Sequence, residues 1–228
     1  RLQGIDDHEV AQRLQQDGTL PPFPHSLLEH LLKPHQQWAD ALMKRAQFAP
    51  DNVPRSLVCQ LATGELSGSS GDVNRTGELV IWHSSSLKNQ HYLGWWLTHL
   101  LRCACGLTST AHAYSGRHEH LEEQLLQPVT DAHALLAPLL NIFIQAHQEP
   151  VFAPIAVTAD YAHCCYVKEE PAPVALKRVQ RNWEDGKLGG DDPVQRLSLR
   201  DREVNWSQME MVAESLWKPF YAHYEVIS

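Results

Sequence analysis

Nothing in this chain of 228 residues approaches the roughly 20 consecutive apolar residues that a helix needs to cross a bilayer. Paired cysteine spacing is missing as well. Cys59, Cys103, Cys105, Cys164 and Cys165 are odd in number, and none forms Cys-x-x-Cys. That pattern argues against a disulfide framework and fits reduced thiols in a cytoplasmic protein. His-Glu-x-x-His is also absent, so neither common zinc signature occurs. No Gly-x-x-x-x-Gly-Lys is present, which removes an ATP site of that kind. An excess of basic charge is lacking too. The formal net charge of -8 disfavours autonomous, backbone-driven binding to nucleic acid.

What is present is organised around residues 79–101. Leu79-Val80-Ile81-Trp82 is a short β-branched apolar run that reads as a buried strand. His83-Ser84-Ser85-Ser86 breaks it. Leu93, Trp96, Leu97, Leu100, Leu101 and Ala104 then fall at steps of three and four, which places them on one helical face. Gly106 is positioned to end that helix.

Around this unit the chain reads as follows. Residues 6–16 suggest a short surface helix, and helices are expected near 25–33 and 35–48, divided at Pro34. Residues 55–62, 65–71 and 78–82 read as three consecutive strands, with Thr63-Gly64 as the first turn and 72–77 as the second. Residues 108–114 read as a fourth strand. The polar stretch 116–127 is expected to cover the sheet. Thr130 is a candidate N-cap for a helix with Ala132, Leu135, Leu136, Leu139, Leu140 and Phe143 on its buried face, although Pro138 interrupts it. Residues 151–157 suggest a strand and 161–167 a helix. Val174, Leu176, Val179 and Trp183 mark a further helix, ended by Gly186. Ser207 and Glu210 form a capping-box pattern before Val212, Ala213, Leu216, Trp217 and Phe220. No internal repeat divides the chain.

Candidate chemistry is sparse. His118-x-His120 and His163-Cys164-Cys165 lack zinc-type spacing, and Cys103-x-Cys105 on a helix would point its thiols about 200° apart. Gly68-Ser69-Ser70-Gly71 is one residue too short for a nucleophile elbow. Lys177, Arg178, Arg181 and Lys187 form the one basic cluster near a helix. It reads either as a solvated face balanced by Glu169, Glu170 and Glu184, or as a phosphate-contacting edge.

One resemblance orders these elements. Nucleases attached to RecB-type helicases carry a Gly-x-Ile-Asp strand, a strand ending Asp-Tyr-Lys, and a helix with Gln-x-x-x-Tyr. Here Gly68-Ser69-Ser70-Gly71, Ile81-Trp82-His83 and Tyr92 with Trp96 occupy those places. A retained frame with Gly71, Ile81 and His83 at the catalytic positions resembles the C-terminal, nuclease-like domain of RecC, the gamma subunit of exodeoxyribonuclease V. Residues 18–23, 77–101 and the tail from Ala153 are similar to it as well. The resemblance implies an α/β, restriction-endonuclease-like (PD-(D/E)XK-type) core with its catalytic residues lost, plus flanking helices. It implies a single domain over 1–228, cut from a larger subunit. Within it, 1–50 would form a helical flank, 54–115 the nuclease-like core, and 128–228 further helices packed on that core. The implied role is assembly and duplex contact in double-strand break repair by recombination, with RecB-like and RecD-like partners. The partners would use the ATP and Mg²⁺, and this domain would hold no cofactor. Two alternatives are an active Mg²⁺ nuclease with migrated acids, using Asp72 and Glu78, and a generic cytosolic interaction domain.

Overall fold

The computed structural model describes residue 16 and residues 37–48, 53–117, 120–149, 151–194 and 204–227. Apart from Gln16, which is helical, the helices expected over 6–16 and 25–33 lie outside the described residues. Helix α1 occupies residues 37–46 and buries Trp38, Leu42 and Ala46, spaced by four so that they share one face. Strands β1 (Ser56–Leu61) and β2 (Gly64–Ser69) form an antiparallel hairpin in which Leu61 faces Gly64 across a two-residue turn. The next elements are β3 (Leu79–His83), helix α2 (Asn89–Ala104), β4 (Ala111–Arg117) and β5 (His120–Leu126). Helices α3 (Ala132–Gln148), α4 (Ile155–Tyr166), α5 (Ala172–Glu184) and α6 (Trp206–His223) follow, and β6 (Tyr224–Ile227) closes the described chain.

The main sheet has the order β3-β4-β5-β6. β3 and β4 are parallel, connected through α2, while the other two pairings are antiparallel. Alternation along each strand sends successive side chains to opposite faces. Leu79, Ala111, Ala113 and Leu126 join one large core with Trp95, Trp96 and Leu100 of α2 and the apolar faces of α4 to α6. Val80 and Tyr114 join the smaller core beneath α1. Alanines at 111 and 113 leave room on the first face for the indoles of α2. The result is a mixed α/β fold with helices on both faces of its sheet. Among the described residues, no helix is long and apolar enough to cross a membrane.

Helix α2 ends as its sequence suggests. Gly106 takes a left-handed φ of 80°, and its N–H donates to Cys103 O at 3.0 Å. Leu107 N–H donates to Arg102 O at 2.9 Å, which completes a Schellman motif. The buried arc is wider than the expected stripe. Trp95 and His99 are buried with Trp96 and Leu100, while Leu97 is 37% exposed. The reason lies in tertiary packing, because α2 is covered from two sides. A Cβ added at Gly68 of β2 would come within 2.8 Å of Leu101 Cδ2, so the hairpin rests directly on this helix.

Several expectations are corrected. Residues 120–126 do not cover the sheet; they form its third strand. Their pattern is obscured because Glu123 and Gln124 are both 7% exposed, so polar residues stand at buried positions. Residues 151–154 form no strand, and the chain turns helical at Ile155, with Pro154 as N-cap. Helix α3 has Asp131 rather than Thr130 at its N-cap, and neither there nor at Pro154 does the side chain cap the helix. Phe143 is 60% exposed, because α3 outruns its packing partners after Leu140. Pro138 is tolerated within α3 because Ala134, whose carbonyl would have received the missing bond, is exposed to water. Val174 is 50% exposed, and the buried face of α5 runs through Ala175, Val179 and Trp183 instead. The N-cap of helix α6 lies two residues before the proposed capping box: Asn205 Oδ1 accepts from Gln208 N–H at 3.0 Å. Its buried stripe of Val212, Ala213, Leu216, Trp217 and Phe220 is as expected.

Trp96 is fully buried, with its ring edge-on to Phe220 at 5.9 Å between centroids. Trp96→Ala is expected to cost about 3–5 kcal/mol in urea unfolding, the range for a large aromatic removed from a core. A loss under about 1 kcal/mol would mean that the surrounding core closes over the gap.

Candidate functional site

The positions singled out by sequence sit where β2 bends towards β3. After Ser69 the chain leaves the hairpin, and Val73 then bridges antiparallel to Leu79. Val80 N–H donates to Asp72 O at 2.8 Å, and Asn74 N–H to Glu78 O at 3.0 Å. The second expected turn is therefore formed, and it delivers the chain into β3. Gly71 has a φ of 68°, a left-handed conformation that L side chains rarely adopt. A Cβ there would also lie 2.7 Å from Leu79 Cδ1. The local backbone thus selects glycine at this point. Ser70 is buried, and its Oγ accepts from Arg55 N–H at 2.8 Å, so it helps fix the hairpin end.

Ile81 is half-buried against the main core. His83 lies two residues on, on the same face of β3. Its Nδ1 is 2.9 Å from Ser85 Oγ and accepts from Ser85 N–H at 3.3 Å. The His83 and His91 rings face each other with centroids 4.3 Å apart. His91 Nδ1 accepts from Lys88 N–H at 3.0 Å. Burial, then the neighbouring His83 and Lys88, hold its pKa below the usual histidine range. Gly71, Ile81 and His83 therefore present neither a carboxylate nor an ammonium group at the strand ends.

Arg102 of α2 reaches into this bend. It is 3% exposed, and its guanidinium donates to Ser70 O at 2.9 Å and to Gly77 O at 2.6 Å. One cation thereby ties the helix to both ends of the segment between β2 and β3.

Beneath the other face runs a chain of charged groups that sequence reading did not connect. Glu78 accepts from Thr110 Oγ1, from Asn74 Nδ2 at 2.7 Å and from Thr76 Oγ1 at 2.8 Å. Its carboxylate is also 3.5 Å from His112 Nε2. His112 Nδ1 is 2.9 Å from Glu123, whose other oxygen accepts from Arg45 Nε of α1 at 2.6 Å. Tyr114 O–H donates to the same Glu123 at 3.2 Å. Partial burial raises the Glu78 pKa, but the hydrogen bonds from Thr110, Asn74 and Thr76 outweigh it and bring the value to about 2. Burial likewise opposes ionisation of Glu123, and the Arg45 and His112 bonds overcome it. The partners come from α1, β4 and β5, far apart in sequence, so no local motif announces them.

The basic cluster is only partly available. Arg178 pairs with Glu170 at 2.8 Å. Lys187 and Arg181 both approach Asp185, at 3.1 and 3.9 Å. Arg181 is nonetheless 82% exposed at its side chain, where such a pair is worth little. Lys177, four residues before Arg181 on the same face of α5, is exposed and makes no ion pair among the described residues. The balancing acids are Glu170 and Asp185, not Glu169 and Glu184.

All five cysteines are free. Cys103 Sγ faces His99, while Cys105 Sγ contacts Val58 O, so the two thiols serve different neighbours. His118 lies outside the described residues. Among the described residues, no group of three or more His, Cys, Asp or Glu is placed to hold a metal ion.

A mixed α/β domain with helices on both faces, and a strand–helix–parallel-strand unit at its centre, is therefore the setting of these residues. Residues 1–166 match the family model for the RecC C-terminal domain, and the chain belongs to that family. No curated protein matches the chain.

The Glu78 environment yields a pH test. A carboxyl with a folded pKa near 2 against 4.5 unfolded stabilises the fold fully above the unfolded value. That contribution is lost as pH falls from 4.5 towards 2. The stability gap between wild type and Glu78→Gln is expected to shrink over this interval in urea melts. A gap independent of pH would show that Glu78 is not held ionised by its neighbours.

Proposed function

We propose that this chain is the C-terminal domain of a RecC-type gamma subunit and performs no chemistry itself. It would serve as a scaffold in exodeoxyribonuclease V, the ATP-dependent helicase–nuclease of recombinational double-strand break repair. Family membership supports the place in that complex. The observation that carries the non-catalytic reading is the identity of the residues at the strand ends. Mg²⁺ takes hard oxygen ligands, and phosphodiester cleavage needs charge stabilisation near the attacked phosphate. Gly71, Ile81 and His83 supply neither, and Glu78 is committed to Thr110, Asn74, Thr76 and His112. The residues present do not fit the metal.

The core fits a restriction-endonuclease-like frame in the order of its parts: hairpin, β3, α2 and parallel β4. In this reading residues 1–50 form a flank, 54–115 the nuclease-like core, and 128–228 the helices packed against it. RecB-like and RecD-like subunits and a duplex end are the partners, and those subunits use the ATP and Mg²⁺. DNA contact runs through the exposed pair Lys177 and Arg181, with Arg178 and Lys187 at its edge. The acidic overall charge makes this contact weak in isolation and effective only when neighbouring subunits align it with the duplex.

Two outcomes test this. The purified chain is expected to show no Mg²⁺-dependent cleavage of linear duplex DNA. Cleavage that disappears in Asp72→Ala or Glu78→Gln would establish the migrated-acid nuclease instead. In the assembled complex, Lys177→Ala/Arg181→Ala is expected to weaken duplex binding and lower the salt slope of log affinity by about two, one for each phosphate contact removed. Assembly should be unaffected. An unchanged slope would return the cluster to an ordinary solvated helix face.

A further inference from the structure

A cavity of about 490 Å³ opens between the start of α2, helices α4 and α6, and strand β6. Its floor includes the buried rings of Trp217 and Phe220, and Tyr92, Tyr221 and Tyr224 line its walls. The Tyr92 and Tyr224 rings stand at 88° to one another, and those of Tyr221 and Tyr224 at 85°, so ring faces of different orientation meet here. One carboxylate, Asp160, also lines the space. It accepts from Asn182 Nδ2 at 3.2 Å and pairs with no lysine or arginine among the described residues. Burial, then Tyr92 and the nearby Asp160 charge, push the Tyr221 phenol up to about 12, so it stays neutral at ordinary pH. The cavity adjoins a sheet edge. β6 pairs with β5 on one side, and among the described residues no strand pairs with the other. Tyr224 and Val226 share one face of β6, and both line the cavity, with Val226 65% exposed.

We infer that this cleft is a docking site for an extended segment of a partner subunit that carries an arginine side chain. The inference deepens the assembly reading above and rests on it. Charge complementarity selects the occupant. Tyrosine and tryptophan faces attract a cation, and a planar guanidinium can stack on a ring while pairing with a carboxylate. A neutral apolar side chain would leave Asp160 at a dehydrated surface, with His163 beside it in the lining but no lysine or arginine partner among the described residues. A nucleic acid strand would bring phosphates to a carboxylate on a chain of net charge -8. The volume falls in the range of small-ligand pockets, and it leaves room for residues flanking the arginine. The edge of β6, unpaired among the described residues, explains why the segment is extended. A strand added there sends alternate side chains to the face of Tyr224 and Val226, over the cavity.

The test uses the full chain and three blocked tripeptides, acetyl-Val-X-Val-amide, with arginine, norleucine or glutamate at X. Binding is followed by calorimetry and by tyrosine fluorescence. The arginine peptide is expected to bind roughly tenfold more tightly than the norleucine peptide, the scale of one cation–π contact plus one ion pair, and the glutamate peptide least. Asp160→Asn, checked for an unchanged urea midpoint, should remove most of that discrimination. Equal binding of the arginine and norleucine peptides overturns the proposal, as does discrimination that survives Asp160→Asn. Displacement of the arginine peptide by an oligothymidylate would overturn it in favour of a nucleic acid site. Co-purification of the wild-type chain with the other subunits is measured alongside. Peptide discrimination absent with co-purification intact removes the cleft alone, whereas failed co-purification removes the assembly reading.

Discussion

A guanidinium buried between two backbone carbonyls holds the centre of this domain. Taking a cation out of water costs several kcal/mol unless its hydrogen bonds are replaced, and Arg102 replaces part of them with Ser70 O and Gly77 O, while its Nε stands without a partner. Burial depresses its pKa, but an arginine stays charged in any protein setting. The contact fixes the bend after β2, and that bend sets where β3 enters the sheet. From β3 follow the parallel pairing with β4 and the position of α2 across it. The bend between β2 and β3 is thus held by an arginine from the neighbouring helix.

The two faces of the sheet divide the work. One is apolar and close-packed, with Trp95, Trp96 and Leu100 set against the small residues of β4. The other carries the ionic row of Glu78, His112, Glu123 and Arg45, which links β3, β4, β5 and α1. Desolvation offsets part of the attraction in such a row. Its geometric demand falls on Glu123, which is 9% exposed at its side chain and would stand buried without a partner if Arg45 and His112 moved away. Helix α1 is thereby tied to the sheet through Arg45 and Glu123.

Much of this was legible in the sequence. β1, β2 and β3, the helix after them and the stripe of α6 follow from alternation and from steps of three and four, because each has one face on a core. What escaped is what depends on distant partners. β5 looked like a surface cover because Glu123 and Gln124 are buried within it, and Glu123 becomes intelligible only once Arg45, His112 and Tyr114 are beside it. β6 follows directly on α6 and has four residues, too few for a period to register. Phe143 continued an apolar stripe past the point where anything packs on it. Arg102 carried no local sign, because its acceptors are carbonyls 32 and 25 residues away.

The most direct measurement is a calorimetric titration of Mg²⁺ into the folded chain. If the strand ends are a metal-free frame, the only response should be the weak, salt-screened one of an acidic surface. It should be identical in wild type, Asp72→Asn and Glu78→Gln. Saturable, stoichiometric binding in the wild type that either substitution abolishes would contradict a frame without a metal site.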